Sequence, residues 1–587
     1  MSKEIYTRWF KMKKTLIIIA IVLVVIFGLM ASMVYLQKKL ISGSVPKVKS
    51  GSVLVVDFSR NYPEKSGYDF QGFKIKRKES LISLIKAIES AGDDANINAM
   101  AIKTPGLSLR FAQTDEVAEA IKKFKKSGKP VYAYFDNASM GGYLLASLAD
   151  TIYMTPSGEV MFLGMSIAPM FFAGTSEKIG VGWDVIQLGD FKGASEMFVN
   201  KKFSAPYKET LVRLLDGLYY GWVDNIAERR GFPLDSVLAM VDYGVFYGDE
   251  ALEWGLVDSL IYPQDFEKII ENLTGDDKTR KIGPGSYASA RKLLDGKKKI
   301  AVIYGLGSIH TGKSETPNPF GGSESIGSET FSKAIDDAAE DDKVEAIVLR
   351  VDSPGGSALA SDIIWKSVIE AKKKKPVIVS MGGTAASGGY YISMAADSIF
   401  CDPNTITGSI GVIFMKAYFE NLFEWAGITV DSVNRGALSN QFTLYKGMDE
   451  VGYEAFGRMI SKIYDDFAGK AAEGRGISVD SMQYLAQGRI WHGKDAVEVG
   501  LVDRIAGLSE VIDVAAKMAG VDPKEVGIKT YPAEKSFFEF AIELSAPKIK
   551  SPLPKQINEA LAPVFEAATL FVPGEPLAIM PYRIETN

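Results

Sequence analysis

Cysteine and histidine are nearly missing from this 587-residue chain, which holds one Cys and two His. The lone Cys401 excludes an intrachain disulfide and a cysteine-rich metal site, and its place after Ile399 and Phe400 reads as a buried structural thiol. A serine–histidine–aspartate triad would have to use His310 or His492. His310 precedes a Gly/Ser/Pro-rich loop at 311–328 and His492 lies in a WHGKDA stretch, so both read as surface or local structural residues. If a serine is the nucleophile here, its base is then another side chain. Excess positive charge is lacking too: a net charge of −5 gives no electrostatic footprint for nucleic acid, and no nucleic-acid partner is expected. Glycine-containing stretches such as 305–312 are not followed directly by a helix, so they are weak signals for a nucleotide.

What is present describes a folded chain of more than one domain, with 47% hydrophobic and 24% charged residues. Residues 1–14 carry Lys3, Arg8, Lys11, Lys13 and Lys14 against Glu4, and residues 15–36 are 22 residues without a charge. That run is long enough to span a bilayer and longer than the apolar core of a cleaved leader. A retained anchor with its basic end in the cytoplasm is expected, which puts the remainder on the outer face of the membrane. Residues 37–50 read as a linker.

Beyond the linker the chain repeats itself. SVLVVDF at 52–58 returns as KIAVIYG at 299–305, and MGGYLLASLAD at 140–150 returns as SGGYYISMAAD at 387–397, both at an offset of 247. GLVD at 255–258 returns at 500–503, an offset of 245. A nearly constant offset over about 200 residues marks an internal duplication. In the second copy strands are expected at 300–304, 346–351 and 376–381, alternating with helices at 329–339 and 358–371. This alternation predicts an α/β fold of two tandem repeats with mainly parallel sheets, at 51–295 and 296–523. Residues 524–587, rich in proline, show no partner in the first copy and read as a C-terminal extension packed on the surface or at a subunit contact.

Chemistry concentrates in TAASGGYY at 384–391, a serine on a small-residue turn between an expected strand and a helix expected at 392–396. Such a turn exposes a nucleophile and aims helix N–H groups at a developing oxyanion. On its own the motif fits a plain glycine turn equally well. Met140 occupies the position of Ser387 in the first copy, so the turn itself reads as architecture common to both copies.

DSPGGS at 352–357, AASGGYY at 385–391, TGSIGV at 407–412 and GDFKGA at 189–194 together resemble the long, duplicated form of the signal peptide peptidase A family. That family belongs to the serine–lysine peptidases of the Clp protease/crotonase superfold. The resemblance implies a membrane-anchored serine endopeptidase that needs no metal or cofactor. Ser387 would be the nucleophile, Lys192 the general base and acid, and Ser409 the residue that orients the lysine. Gly388 with Gly355 or Gly356 would form the oxyanion hole, while Asp352 and Pro354 shape the loop. It also implies a homotetramer that degrades cleaved signal peptides and other unfolded apolar peptides at the cytoplasmic membrane.

The duplication offers a check on that assignment. Lys192 plus 247 is Ser439, and aligning KGA with RGA instead puts Arg435 opposite Lys192; neither can act as a neutral amine. Each copy keeps half of a dyad, so one composite site is expected. TPGLS at 104–108 breaks the first copy's own glycine pair. For Lys192 to accept a proton its pKa must fall from about 10.4 toward neutrality, which burial at an apolar interface can supply. Asp190 and Glu196 are therefore expected to point away from it. Two further readings are a crotonase-like acyl-thioester enzyme, disfavoured by the anchor and the missing catalytic glutamate pattern, and a non-catalytic peptide-binding or membrane-assembly scaffold.

Overall fold

The computed structural model describes residues 47–71, 74–104, 109–275, 280–315, 323–533 and 577–579. The expected anchor at 15–36 and residues 105–108 of the TPGLS stretch lie outside these residues. Among the described residues no helix is long and apolar enough to cross a membrane.

The first copy supplies strands β1 (Ser52–Asp57), β2 (Ile97–Lys103), β3 (Val131–Ser139), β4 (Thr151–Met161), β5 (Gly182–Leu188), β6 (Val245–Tyr247) and β7 (Lys281–Ile282). The second supplies β8 (Lys298–Leu306), β9 (Val344–Ser353), β10 (Gly355–Ser357), β11 (Val377–Ala386), β12 (Ile406–Gly408), β13 (Val412–Tyr418), β14 (Ile490–His492) and β15 (Val526–Tyr531). A last strand, β16, is Leu577–Ile579. Continuous apolar runs such as Ile300–Ile303, buried on both faces, are what a parallel sheet covered by helices requires.

One sheet runs β7-β1-β2-β3-β4-β6 and the other β15-β8-β9-β11-β12-β14, strand for strand the same order. Both are parallel except at the final pair, which is antiparallel in each. The side-chain ties repeat as well. The Tyr143 hydroxyl donates to the Leu256 carbonyl at 2.7 Å, and the Tyr390 hydroxyl to the Leu501 carbonyl at 2.9 Å. Asp258 and Asp503, the acids of the two GLVD stretches, each accept a strand N–H at 2.6 Å, from Ile152 and Ile399.

Two expectations need correction. The segment after Pro523 does have a first-copy partner: β15 pairs in parallel with β8 as β7 does with β1, so a boundary at 523 cuts a strand from its sheet. A six-residue edge strand with Val526 and Ile528 as its only aliphatic residues leaves a weak periodic signal, which hid this one. The turn before Ser387 is also not shared. In the first copy β3 ends at Ser139 with φ −80°, and the helix Met140–Ala146 begins directly on Met140.

The copies are joined by a mixed sheet and a buried ionic cluster. Strand β5 of the first copy pairs antiparallel with β13 of the second along its whole length, from Leu188 opposite Val412 to Gly182 opposite Tyr418. Beneath, Arg350 is fully buried and forks onto Glu64, with Nε–Oε2 at 3.0 Å, while also reaching Glu116. Glu116, on the helix Phe111–Lys125, in turn accepts the Leu508 N–H at 2.9 Å. Asp402 sits beside this cluster; burial first, then the Glu116 charge, push its carboxyl well above the usual range.

Removing one partner of such a buried cluster leaves an uncompensated charge. Glu116→Ala is expected to destabilise the chain by about 3–5 kcal/mol in chemical denaturation, and a loss below about 1 kcal/mol would show that the cluster does not hold the copies together.

Candidate active site

Ser387 follows β11 and precedes the short helix Gly388–Ser393, which starts four residues earlier than the sequence pattern indicates. Its backbone is held at φ +55° and ψ −113°, in a region L-residues seldom occupy. The conformation is fixed from both sides: Ser387 N–H donates to the Gly408 carbonyl at 2.7 Å, and its carbonyl accepts from Tyr391 N–H at 2.9 Å. Backbone strain of about 1–3 kcal/mol persists only where surroundings over-determine it, and it turns this side chain off the end of the strand.

Lys192 reaches this point from the other copy. β5 ends at Leu188, and the GDFKGA loop then turns Lys192 inward. Pairing of β5 with β13, which starts three residues after Ser409, sets the loop beside the Ser409 turn. Lys192 Nζ lies 2.6 Å from Ser387 Oγ, 3.1 Å from Ser409 Oγ and 2.9 Å from the Ser409 carbonyl oxygen. Three partners match a neutral amine: two N–H bonds for the Ser409 oxygens and one lone pair for the Ser387 proton.

The electrostatics point the same way. Lys192 is 1% exposed and Ser387 0%. Burial drives the Lys192 pKa well below its usual value, and no acid beside it counteracts this. Asp190 is exposed. The Glu196 carboxylate accepts the Ser204 N–H at 2.9 Å and the Ser204 hydroxyl. Both acids thus face away, as the chemistry needs.

The AQGR stretch at 486–489, not singled out in the sequence, closes the loop around Lys192. Phe191 N–H donates to the Gln487 carbonyl at 3.0 Å, and Ser409 N–H to the Arg489 carbonyl at 2.7 Å. Gly488 has φ +75°, and a Cβ there would lie 2.4 Å from the Lys192 Cβ. Only glycine fits. The available signal was the duplication: extended upstream from GLVD at the offset of 245 it sets VFYGDEA at 245–251 against IWHGKDA at 490–496, with Gly244 one residue and Gly488 two residues ahead of the edge strand.

The oxyanion candidates are brought near but not equally free. Gly388 opens its helix, so its N–H has no intrahelical acceptor. Gly355 N–H donates to Ser353 Oγ at 3.1 Å, and both Gly355 and Gly356 pair with β16. Asp352 shapes this loop: it accepts Thr384 N–H at 3.1 Å and meets Arg110 at 2.6 Å.

Other residues stand apart. Arg435 and Ser439 lie in an exposed segment, where the Arg435 guanidinium donates to the Asn434 carbonyl. His492 is buried against Asn404 Oδ1 at 3.0 Å, and burial lowers its pKa to about 4; His310 pairs with Ser325 Oγ at 2.8 Å. Cys401 is buried, with its thiol raised by burial. No cluster of metal-ligating side chains occurs among the described residues.

Comparison with known proteins places the chain in a family. The chain is 34% identical over 472 residues to Protease 4 of Haemophilus influenzae, covering 77% of this chain and 75% of that protein. It is 31% identical over 523 residues to Protease 4 of Salmonella typhi, covering 86% and 82% respectively. Serine protease SPPA, chloroplastic, of Arabidopsis thaliana is 31% identical over 483 residues, covering 81% and 70%. The profile of peptidase family S49 matches twice, at residues 123–275 and 369–522, once in each copy. The chain is a serine peptidase of family S49, with the family's domain present in duplicate.

Proposed function

We propose that this chain is a membrane-anchored endopeptidase that works through a Ser387–Lys192 dyad, degrading cleaved signal peptides and other unfolded apolar peptides. The observation that carries the reading is the 2.6 Å contact between a buried amine without a counter-charge and the hydroxyl of a strained serine. Ser387 Oγ attacks a peptide carbonyl as its proton passes to Lys192 Nζ. The tetrahedral oxyanion is met by Gly388 N–H and by an N–H of the Gly355–Gly356 loop. Lys192 then returns the proton to the departing amine, and the acyl-enzyme forms. Water, deprotonated by the same amine, releases the acid and regenerates Ser387. Ser409 holds the amine through both steps. An acyl-thioester hydratase would need a carboxylate at this place; the acids nearest in sequence to Lys192 face elsewhere.

Residues 15–36 are proposed as a single-pass anchor in the cytoplasmic membrane, with the N-terminus inside and the dyad on the outer face. A homotetramer that encloses the sites would restrict entry to unfolded segments. No cofactor is invoked.

Ser387→Ala and Lys192→Ala are each expected to lower kcat for a peptide ester by at least about 10³-fold with the fold retained; wild-type turnover in either variant would end the dyad proposal. The pH profile should carry a single ascending limb. kcat/KM should rise as Lys192 loses its proton, with a midpoint below the usual lysine value of about 10.4. Stability should follow the same group. The folded-state pKa is depressed, so the unfolded chain binds more protons between the two values, and wild-type stability relative to Lys192→Met should rise with pH across that window. A flat difference between pH 7 and 10 would contradict a neutral Lys192.

A further inference from the structure

Three of the four non-glycine residues that hold a positive φ among the described residues surround one amine: Ser387 at +55°, Ser409 at +51° and Gln487 at +54°. Such conformations persist only where neighbours over-determine them. Backbone bonds tie the Gln487 turn to its surroundings. Its carbonyl accepts Phe191 N–H at 3.0 Å, Gly488 N–H donates to the Ile410 carbonyl at 2.7 Å, and the Arg489 carbonyl accepts Ser409 N–H at 2.7 Å. One side chain then joins the two loops. The guanidinium carbon of Arg489 lies 3.6 Å from the centre of the Phe191 ring, with the ring of Trp491, on β14, at 5.8 Å. Its carboxylate contact is with Glu209 at 3.5 Å, and the Arg489 side chain is 15% exposed against 70% for Glu209. A planar cation so placed is held by the face of a ring more than by a counter-ion.

We propose that Arg489 is a positioning residue for Lys192, clamping Phe191 with its side chain and the Ser409 turn with its carbonyl. The role deepens, and rests on, the reading of Lys192 as the base. Phe191 immediately precedes Lys192, so a ring free to swing would let the GDFKGA loop lift and lengthen the 2.6 Å contact with Ser387 Oγ. Ser409 supplies the other two partners of the amine, at 3.1 Å and 2.9 Å. Arg489 thus holds the residue before the base on one side and the residue that orients it on the other. Misplacement of a reacting group by about 1 Å can cost about 10²-fold in rate. The other charged or titratable groups around the clamp are Asp190, which is exposed, Glu196, occupied by Ser204, Glu209, and Tyr464, whose hydroxyl accepts Gln487 N–H at 3.3 Å. Exchanging the guanidinium for an apolar chain removes a cation beside the loop and loosens the cover over the amine. Both changes favour the ammonium.

The test is steady-state kinetics across pH on the full chain, its Arg489→Met and Phe191→Leu variants and the double variant, with Lys192→Ala alongside. Phe191→Leu keeps the Arg489 backbone and its bond to Ser409, so it decides the matter where Arg489→Met fails to fold. Each single variant is expected to lower the plateau kcat at least about tenfold with KM within about twofold. Each should also move the midpoint of the ascending limb upward by roughly half a unit or more. The double variant should be no slower than the slower single variant, because both substitutions remove the same contact. Wild-type kcat in either folded single variant, or losses that multiply in the double variant, would overturn the proposal. So would a lower kcat with an unmoved midpoint, which marks a loss of folded enzyme and not a displaced base. Lys192→Ala separates the two readings: wild-type turnover there ends the dyad, whereas an inert Lys192→Ala beside an unaffected Phe191→Leu ends the clamp alone.

Discussion

Burial of the Lys192 amine governs the arrangement of both copies. An ammonium placed among apolar side chains without a counter-ion is so unfavourable that the group gives up its proton instead. The chain enforces this burial from several directions. β5 crosses onto β13, the AQGR stretch packs a side-chain-free backbone against the Lys192 Cβ, and the nearby acids are occupied elsewhere. Each feature would be a cost in isolation. Together they favour the uncharged amine over the ammonium at a point 2.6 Å from a serine hydroxyl.

Duplication makes that burial possible. With two copies, the first donates the loop and the second the turn. The interface between them is dry enough to hold Arg350 and its carboxylates as well as the lysine. Divergence is visible in the backbone, since Ser387 holds a left-handed conformation where Met140 simply starts a helix. The backbone geometry at Ser387 is thus a property of the second copy alone.

Much of this was legible in the sequence. The 247-residue offset gave the repeat, the apolar runs gave its strands, and the lost serine at Met140 pointed to a composite site. The parts that were not legible depend on single backbone positions far apart in the chain. Gly488 is one glycine among 56, and nothing local marks it as the neighbour of Lys192. The partners of Arg350 are 286 and 234 residues away, at Glu64 and Glu116. β15 and β16 are too short for periodicity to separate them from a proline-rich tail, although both complete sheets.

The proposed chemistry turns on the protonation state of one nitrogen, Lys192 Nζ. The most direct measurement is the ¹⁵N shift of Lys192 Nζ in lysine-labelled full chain, assigned by its loss in Lys192→Ala and followed from pH 6 to 11. A neutral-amine shift near pH 8, titrating well below the bulk lysines at about 10.4, is the predicted result. An ammonium shift at pH 8 that moves together with the surface lysines would contradict it.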